Sequence, residues 1–288
     1  MTTTPDPAPC PLSIDALRRV CAAARFGRDI RYFESVASTN TVARQLAIDG
    51  AGEGTAVIAE AQSQGRGRLG RTWASPPYRN LYLSLILRPP LPIAAAPQVG
   101  LVAGLAVAET ACEWAGAAAI KWPNDVLVRG RKAAGILTEM EAADGRVRFV
   151  VLGIGVNLNS LPEDFPPDLR DKAIGLCTAA GAPVDRARFT ARLLLQLEQR
   201  YDFFLRQGFA VIRPLWEGFS CLTGRRVQIE GGEEPCTGVV SGLDGDGALR
   251  LRQPGGKETR VVAGNVTVIG GYESQPSAIS SQLLKADS

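Results

Sequence analysis

Apolar positions recur along this chain with two periods, about every third or fourth residue over some stretches and every second residue, or without break, over others. Thr55 to Glu60 (TAVIAE) is an apolar run of strand length, and Asn80 to Leu87 alternates around Leu81, Leu83, Leu85 and Leu87. A strand from Ile120 ends in Trp122-Pro123-Asn124-Asp125. The chain then turns through Arg129-Gly130 and returns as a strand from Arg131 to Leu137. Val147 to Val156 is a further apolar strand, interrupted by Gly153 and Gly155, and Arg31-Tyr32-Phe33 a short one.

Helical spacing fills the intervals. Ser13 reads as an N-cap with Asp15 favourable to the helix dipole, followed by Ile14, Leu17 and Cys21 on one face. Ser38-Thr39-Asn40 forms a second capping cluster ahead of Val42, Ala43, Leu46 and Ala47. Ala96 to Gly116 is a long alanine-rich helix with Val99, Val102, Ala106, Thr110 and Trp114 as the face to bury. Arg188 to Gln207 is amphipathic and stopped by Gly208, and a shorter helix follows over Phe209 to Gly218.

The pattern changes after Thr223. Arg225–Ile229, Thr237–Val240, Ala248–Leu251, Thr259–Val262 and Val266–Ile269 are short strands punctuated by glycine, with Asp244-Gly245-Asp246-Gly247 as a hairpin turn, the signature of a small SH3-like β-barrel. The expected organisation is an extension with one helix over 1–30, a main domain over 31–220, the barrel over 221–271 and a disordered tail over 272–288. No internal repeat is present.

Composition narrows the chemistry. The 288 residues are 45% hydrophobic and 6% aromatic, enough to bury about 75% of the unfolded surface. A net charge of +3 is only mildly basic, which weighs against a dedicated nucleic-acid coat. The chain contains no histidine, so His-based triads, imidazole bases and His-ligated metals are excluded. The six cysteines, Cys10, Cys21, Cys112, Cys177, Cys221 and Cys236, show no metal-binding spacing and read as reduced thiols. The proline-rich Met1 to Pro11 is not a secretory signal, and the apolar run Val99 to Ala108 stops at Glu109, short of the roughly 20 residues a membrane span requires. A soluble, cytoplasmic protein without membrane contact is expected.

The chemistry-bearing stretch is Gly65-Arg66-Gly67-Arg68-Leu69-Gly70-Arg71-Thr72-Trp73, which hangs from what should be a sheet edge. Glycine lets backbone approach an anion, and arginine supplies a forked, permanent charge. Its glycines match G-x-G-x-x-G, but Trp73-Ala74-Ser75-Pro76-Pro77 blocks the helix a dinucleotide fold requires. A surface loop or a single RNA-binding Arg-Gly tract are the plainer alternatives. Asn124 and Asp125 could merely form an Asx turn, and Ser38 to Asn40 could merely cap a helix. Lys132, opening an otherwise small and apolar strand, is either solvated at the strand end or partly desolvated in a pocket. Gly153 and Gly155 mark a close approach to the strand that carries them.

Taken together, Ser38-Thr39-Asn40, Gln62 before G-R-G-R-x-G-R, Trp73, N-L-Y-L-S at Asn80 to Ser84, K-W-P-N-D at Lys121 to Asp125, R-K-x-x-G-I-L at Arg131 to Leu137 and G-x-G-x-N at Gly153 to Asn157 resemble the biotin protein ligases from Arg31 to Ile269. The resemblance implies an α+β fold, a mixed, largely antiparallel sheet flanked by helices in a class II synthetase-like catalytic domain, followed by the SH3-like barrel. It implies a biotin site of Ser38, Thr39, Asn40, Gln62, Gly65, Arg66, Arg68, Lys132 and Gly135. It implies an ATP and adenylate site of Arg68, Arg71, Trp73, Asn124, Asp125, Lys132 and Asn157. Lys132 and Arg68 would be catalytic, Asp125 would hold Mg²⁺, and Gly135, Gly153 and Gly155 would let the ligand lie against backbone.

The implied reaction joins biotin to ATP as biotinyl-5′-AMP, then moves biotin to a lysine of a biotin carboxyl carrier protein domain. With one helix before the ligase region, the resemblance is to members without a repressor module, so no DNA operator binding is expected; a homodimer is implied only by family likeness. Asn265 stands where the resemblance leads one to expect an acid, so no site is assigned in the barrel. A lipoate ligase and a nucleic-acid-binding module are the competing readings.

Overall fold

A computed structural model describes residues 10–21, 24–231 and 235–272. The expected disordered tail, apart from Tyr272, and Met1 to Pro9 lie outside the described residues.

The larger region is built on one seven-stranded mixed sheet. Its strands in chain order are β1 (Ile30–Val36), β2 (Ala56–Gln62), β3 (Leu81–Leu87), β4 (Ala119–Lys121), β5 (Asp125–Val128), β6 (Arg131–Ala143) and β7 (Arg146–Val156), in the spatial order β1-β2-β3-β7-β6-β5-β4. Only β1 and β2 pair in parallel; every other ladder is antiparallel. Two hairpins are set by local chemistry. Arg129-Gly130 and Asp144-Gly145 each place two successive residues at positive φ, which matches a two-residue turn to the twist of its strands.

The gly-arg loop was expected at a sheet edge, but β2 lies between β1 and β3. The loop therefore leaves the end of an interior strand. The parallel partner β1 precedes β2 by 26 residues in register, Ile30 opposite Ala56, and is joined to it through a helix, α2 (Thr39–Ile48). Hydrophobic pattern alone does not carry that pairing.

Helices pack on both faces, and β3 has every residue buried. On one face α2 packs Ala43 and Ala47 against Val57, Ile86, Phe149 and Val151. On the other lies the main core under α1 (Ile14–Cys21), α3 (Ala96–Ala115), α4 (Leu176–Ala180), α5 (Arg186–Gln207) and α6 (Phe209–Phe219). α3 was expected to bury one face; instead its residues from Leu101 to Ala111 are buried all round, between the sheet on one side and α5 and α6 on the other. With its leading turn it is long and apolar enough to cross a membrane by length and composition, yet 72% of its apolar 18-residue stretch is buried in the protein interior, the position of a core helix. Gly116 in a left-handed conformation ends α3, and Asp185 caps α5 by accepting from the Arg188 N–H.

A buried ion pair ties the chain's beginning to this core. Arg186 at the start of α5 pairs with Glu60 on β2, both nearly fully buried, and donates to the carbonyls of Asn80 and Cys10, while Glu60 accepts from the Leu12 N–H and the Tyr32 hydroxyl.

The small region after α6 is an antiparallel sheet of five strands, β8 (Arg226–Glu230), β9 (Cys236–Leu243), β10 (Leu249–Arg252), β11 (Glu258–Val261) and β12 (Asn265–Val268), ordered β11-β10-β9-β8-β12. Among the described residues no ladder joins β11 to β12, so the hydrogen-bonded sheet stays open at that seam. Its β9–β10 turn docks on the larger region: the buried Trp122 indole N–H donates to the Gly247 carbonyl at 3.1 Å.

Candidate functional site

The start of α2, the end of β2 and the middle of β3 meet at a buried polar knot. Ser38 occupies the N-cap position, yet its side chain makes no capping hydrogen bond. The Thr39 backbone N–H and hydroxyl instead donate to Gln62 Oε1, at 2.9 and 3.1 Å, and Gln62 Nε2 donates to the Ser75 hydroxyl. The Ser84 hydroxyl lies 2.8 Å from Thr39 Oγ1 and 2.6 Å from Asn40 Oδ1, and Asn40 Nδ2 donates to Glu139 Oε2 at 2.7 Å. Thr39, Asn40 and Ser84 are 4% exposed or less, where unpaired polar groups are costly, and with the half-buried Gln62 they are paired into a fixed array. Capping alone does not account for the cluster.

The loop after Gln62 folds back on itself as an irregular hairpin. Arg66 bridges Thr72, the Gly67 N–H donates to the Arg71 carbonyl at 2.7 Å, and the Trp73 N–H donates to the Gly65 carbonyl at 2.8 Å. Gly65 is required by space, since a methyl group there would fall 2.4 Å from the Trp73 carbonyl oxygen. Arg66 is exposed and reaches back to Thr41 and Glu139, tying the loop to α2 and β6. Arg68 is half-buried and donates to Asn124 Oδ1 at 3.3 Å. Burial lowers its pKa from the usual guanidinium value; Asp125 opposes that shift and Arg71 adds to it.

The glycines of β6 and β7 were expected to face ligand directly. The structure fills that space with side chains. Gly135 and Gly155 stand opposite each other in the β6–β7 register, and the Trp73 indole rests on both, while Asn40 closes on Gly153. The other neighbour of the indole is Lys132, whose Nζ is 5.3 Å from the ring centroid. Lys132 is thus two-thirds withdrawn from solvent, which settles the alternative left open by its sequence position.

Around Lys132 the charges converge. Its Nζ pairs with Asp125 Oδ1 at 2.6 Å. The backbone around it is pinned from two sides: its N–H donates to the Lys172 carbonyl, and its own carbonyl accepts from the Ile174 N–H and from Asn157 Nδ2. Asn124 does not make a mere local turn, since its Nδ2 donates across to the Ile136 carbonyl at 2.9 Å and its Oδ1 takes Arg68. The Trp122–Pro123 peptide that presents Asn124 and Asp125 is cis. Lys121 lies opposite Asp125 in the β4–β5 ladder, and burial lowers its pKa below the usual lysine value.

All of this borders one cavity of about 580 Å³. Ser38, Thr39, Asn40 and Gln62 line it together with Arg68, Arg71, Trp73, Asn124, Asp125, Lys132, Gly135 and Asn157, so the structure brings most of the residues singled out in the sequence to a single void. Gly65 supports the loop from behind, and Arg66 lines the void while binding elsewhere. Sequence reasoning gave no role to four neighbours. Ser84 and Lys121 stood only as members of motifs, and Glu139 carried no reading. Tyr272, assigned to the tail, is half-buried and lines the cavity. Among the described residues no cluster of three or more Asp, Glu, Cys or His side chains could cage a metal ion.

Residues 32–157 match the biotin/lipoate A/B protein ligase family, and residues 222–268 match the biotin protein ligase C terminal domain. A biotin–[acetyl-CoA-carboxylase] ligase of Mycobacterium tuberculosis is 36% identical over 265 residues, covering 89% of this chain and 95% of that protein. The bifunctional ligase/repressor BirA of Bacillus subtilis is 42% identical over 226 residues, 78% of this chain and 70% of BirA. Among solved structures, a biotin protein ligase from Aquifex aeolicus in complex with biotin and ATP has a TM-score of 0.73 to this chain at 28% identity, covering 84% of this chain and 99% of that one.

Proposed function

The chain belongs to the biotin/lipoate A/B protein ligase family and is an ATP-dependent biotin protein ligase, and from that premise we propose how its residues divide the reaction. The observation that carries the division is the two-ended cavity: a neutral array of paired hydroxyls and amides at one end, and Arg68, Arg71, Lys121 and Lys132 around Asp125 at the other.

The neutral end suits the ureido ring of biotin, which offers both donors and an acceptor without charge. Ser38, Thr39, Asn40 and Gln62 supply that complement, with Ser84 and Glu139 fixing their rotamers. The valeryl chain would run past Trp73 toward Lys132, where its carboxylate meets the cations.

In the first step the biotin carboxylate oxygen attacks the α-phosphorus of ATP; the bond to the β-phosphate oxygen breaks and pyrophosphate leaves. Two anions must approach each other, so the gain comes from cations already in place rather than from proton transfer. Lys132, pinned by backbone on both sides and only a third exposed, is placed to neutralise the carboxylate and the α-phosphate together. Arg68, held by Asn124, stabilises charge developing on the phosphate.

Asp125 is the carboxylate that lies against Lys132 at this end, and a single carboxylate beside the phosphates suits an ion that arrives with them and keeps several waters, as Mg²⁺ does. Bound there, Mg²⁺ would neutralise phosphate charge.

In the second step the amine of an acceptor lysine attacks the carbonyl of the mixed anhydride and AMP departs. The 65–73 loop and Trp73 shield the anhydride from water, which such an activated acyl group demands. The acceptor is a biotin carboxyl carrier domain, as the names of the related ligases indicate.

Mixing the protein with ATP, Mg²⁺ and biotin should release pyrophosphate, and replacing biotin with lipoate should not. Release with lipoate in preference to biotin would overturn the substrate assignment.

A further inference from the structure

Lys121 is one of the cations lining the cavity whose charge is not taken up by a carboxylate. It ends β4 directly opposite Asp125, but Asp125 is taken by Lys132. Among the described residues Lys121 has neither a salt bridge nor a hydrogen bond. Its Nζ instead lies 5.7 Å from the ring centroid of Tyr272, within cation–π range. Burial depresses its pKa, Asp125 and Cys221 work against that shift, and Lys132 and Arg71 reinforce it. A partly desolvated ammonium next to two further cations is unfavourable until an anion arrives.

Tyr272 reaches this position by a specific route. After β12 the chain passes Gly270 and Gly271, both at positive φ, which turns it back toward the catalytic sheet. Arg225 Nη1 anchors the turn on the Gly271 carbonyl at 3.0 Å. The tyrosine then packs against the β5–β6 turn, where a methyl group on Gly130 would fall 3.4 Å from its Cβ. Its hydroxyl is buried without a partner among the described residues, and its ring packs against the hydrophobic core with Lys121 over it. The segment leaving the small sheet thus forms part of the wall at the cationic end.

We propose that Lys121 binds the β- and γ-phosphates of ATP, the part that leaves as pyrophosphate, and that Tyr272 is a positioning residue that holds Lys121 toward them. The inference rests on the ligase reading above. It concerns only the first step, because biotinyl-5′-AMP retains the α-phosphate alone.

That asymmetry gives the test. Wild-type pyrophosphate release with biotin is measured first; its absence would overturn the ligase reading and this proposal with it. Lys121→Gln and Tyr272→Leu should each raise KM for ATP about tenfold, the size of a desolvated cation–π or phosphate contact. KM for biotin should stay within about twofold, and so should the rate of transfer to the carrier domain when purified biotinyl-5′-AMP is supplied. Tyr272→Phe keeps the ring and should restore KM for ATP to near wild type. Adding Tyr272→Leu to Lys121→Gln should produce little further change, since the tyrosine acts through the lysine. The proposal fails if KM for ATP is unmoved in both variants, if transfer from supplied adenylate falls in parallel, which is the mark of general damage, or if the two effects simply multiply.

Discussion

Trp73 and Gly155 are in direct contact, side chain on bare backbone, so closely that a methyl group on Gly155 would fall 2.5 Å from indole Cε2. Gly135, across the β6–β7 ladder, is in the same position, with a methyl group 2.8 Å from Cζ3. Neither glycine has a positive φ, so what these positions need is space. Gly155→Ala should push the indole out of its seat. We expect a stability loss of about 1–3 kcal/mol, as for other overpacked interiors, read as a lower Tm, together with a raised KM for ATP. An unchanged Tm and KM would mean that the indole is not held there in solution.

Lys132→Ala removes the cation held between Trp73 and Asp125 and should abolish biotin-dependent pyrophosphate release while leaving Tm near wild type, because a partly exposed ion pair contributes little to stability. Arg68→Ala should cost about 3 kcal/mol of transition-state stabilisation, on the scale of losing one oxyanion-hole donor, so the first-turnover rate should fall by roughly two orders of magnitude. A fall of under tenfold would give Arg68 the lesser task of retaining the adenylate, read as faster leakage of biotinyl-5′-AMP.

Ser84 separates biotin from ATP. Its hydroxyl joins Thr39 to Asn40 in the buried array, and Ser84→Ala leaves the Asn40 carbonyl oxygen without that partner. An unmatched buried acceptor costs about 1–3 kcal/mol. KM for biotin should rise about tenfold and KM for ATP should not. Equal effects on both would place Ser84 in the general core rather than at the biotin end.

The sequence patterns that were readable are those that local physics determines. Period two in β3, the glycine stops of α3 and α5, and the change of texture after Thr223 all predict elements that the structure contains. Most residues of the motifs meet at one cavity because motif spacing reflects strand ends that converge. What was not readable depends on partners distant in the chain. Gly135 and Gly155 read as room for ligand, and only the fold shows that Trp73, some 60 to 80 residues earlier in the numbering, takes that room. Ser84 is one polar residue among leucines until α2 is laid over its face. Tyr272 looked like the start of a tail because nothing local predicts a ring against Lys121.

The Glu60–Arg186 pair predicts a large effect far from the chemistry. Arg186→Met would strand Glu60, which is 1% exposed, and leave the Asn80 and Cys10 carbonyls without their donor. Breaking one side of a buried pair costs about 3–5 kcal/mol. Thermal denaturation should show a Tm lowered by several degrees, and supplementing with biotin and ATP should recover part of it by mass action. A Tm within a degree of wild type would show that the pair is more hydrated than its burial implies.

The last prediction concerns pH and follows from Lys121. Its ammonium is depressed below its ordinary value of 10.5, chiefly by burial, so it loses its proton at a lower pH than a solvated lysine. Burial pushes the Cys221 thiol up to about 11 and raises the Tyr272 phenol as well, so both ionise at higher pH than their solvated counterparts. Because kcat/KM for ATP reports ionisations of the free enzyme, it should fall as pH rises through the depressed lysine value. Lys121→Arg keeps its charge at any accessible pH and should abolish that alkaline limb. Stability should move the other way. Below the depressed value folded and unfolded chains both hold the proton, and the full cost of burying the charge is felt. Between that value and 10.5 the unfolded chain holds more protons, so the contribution of Lys121 to stability improves with rising pH across the same window. An alkaline limb that persists in Lys121→Arg would assign the titration to a different group, and Lys132→Arg would be the next variant to measure.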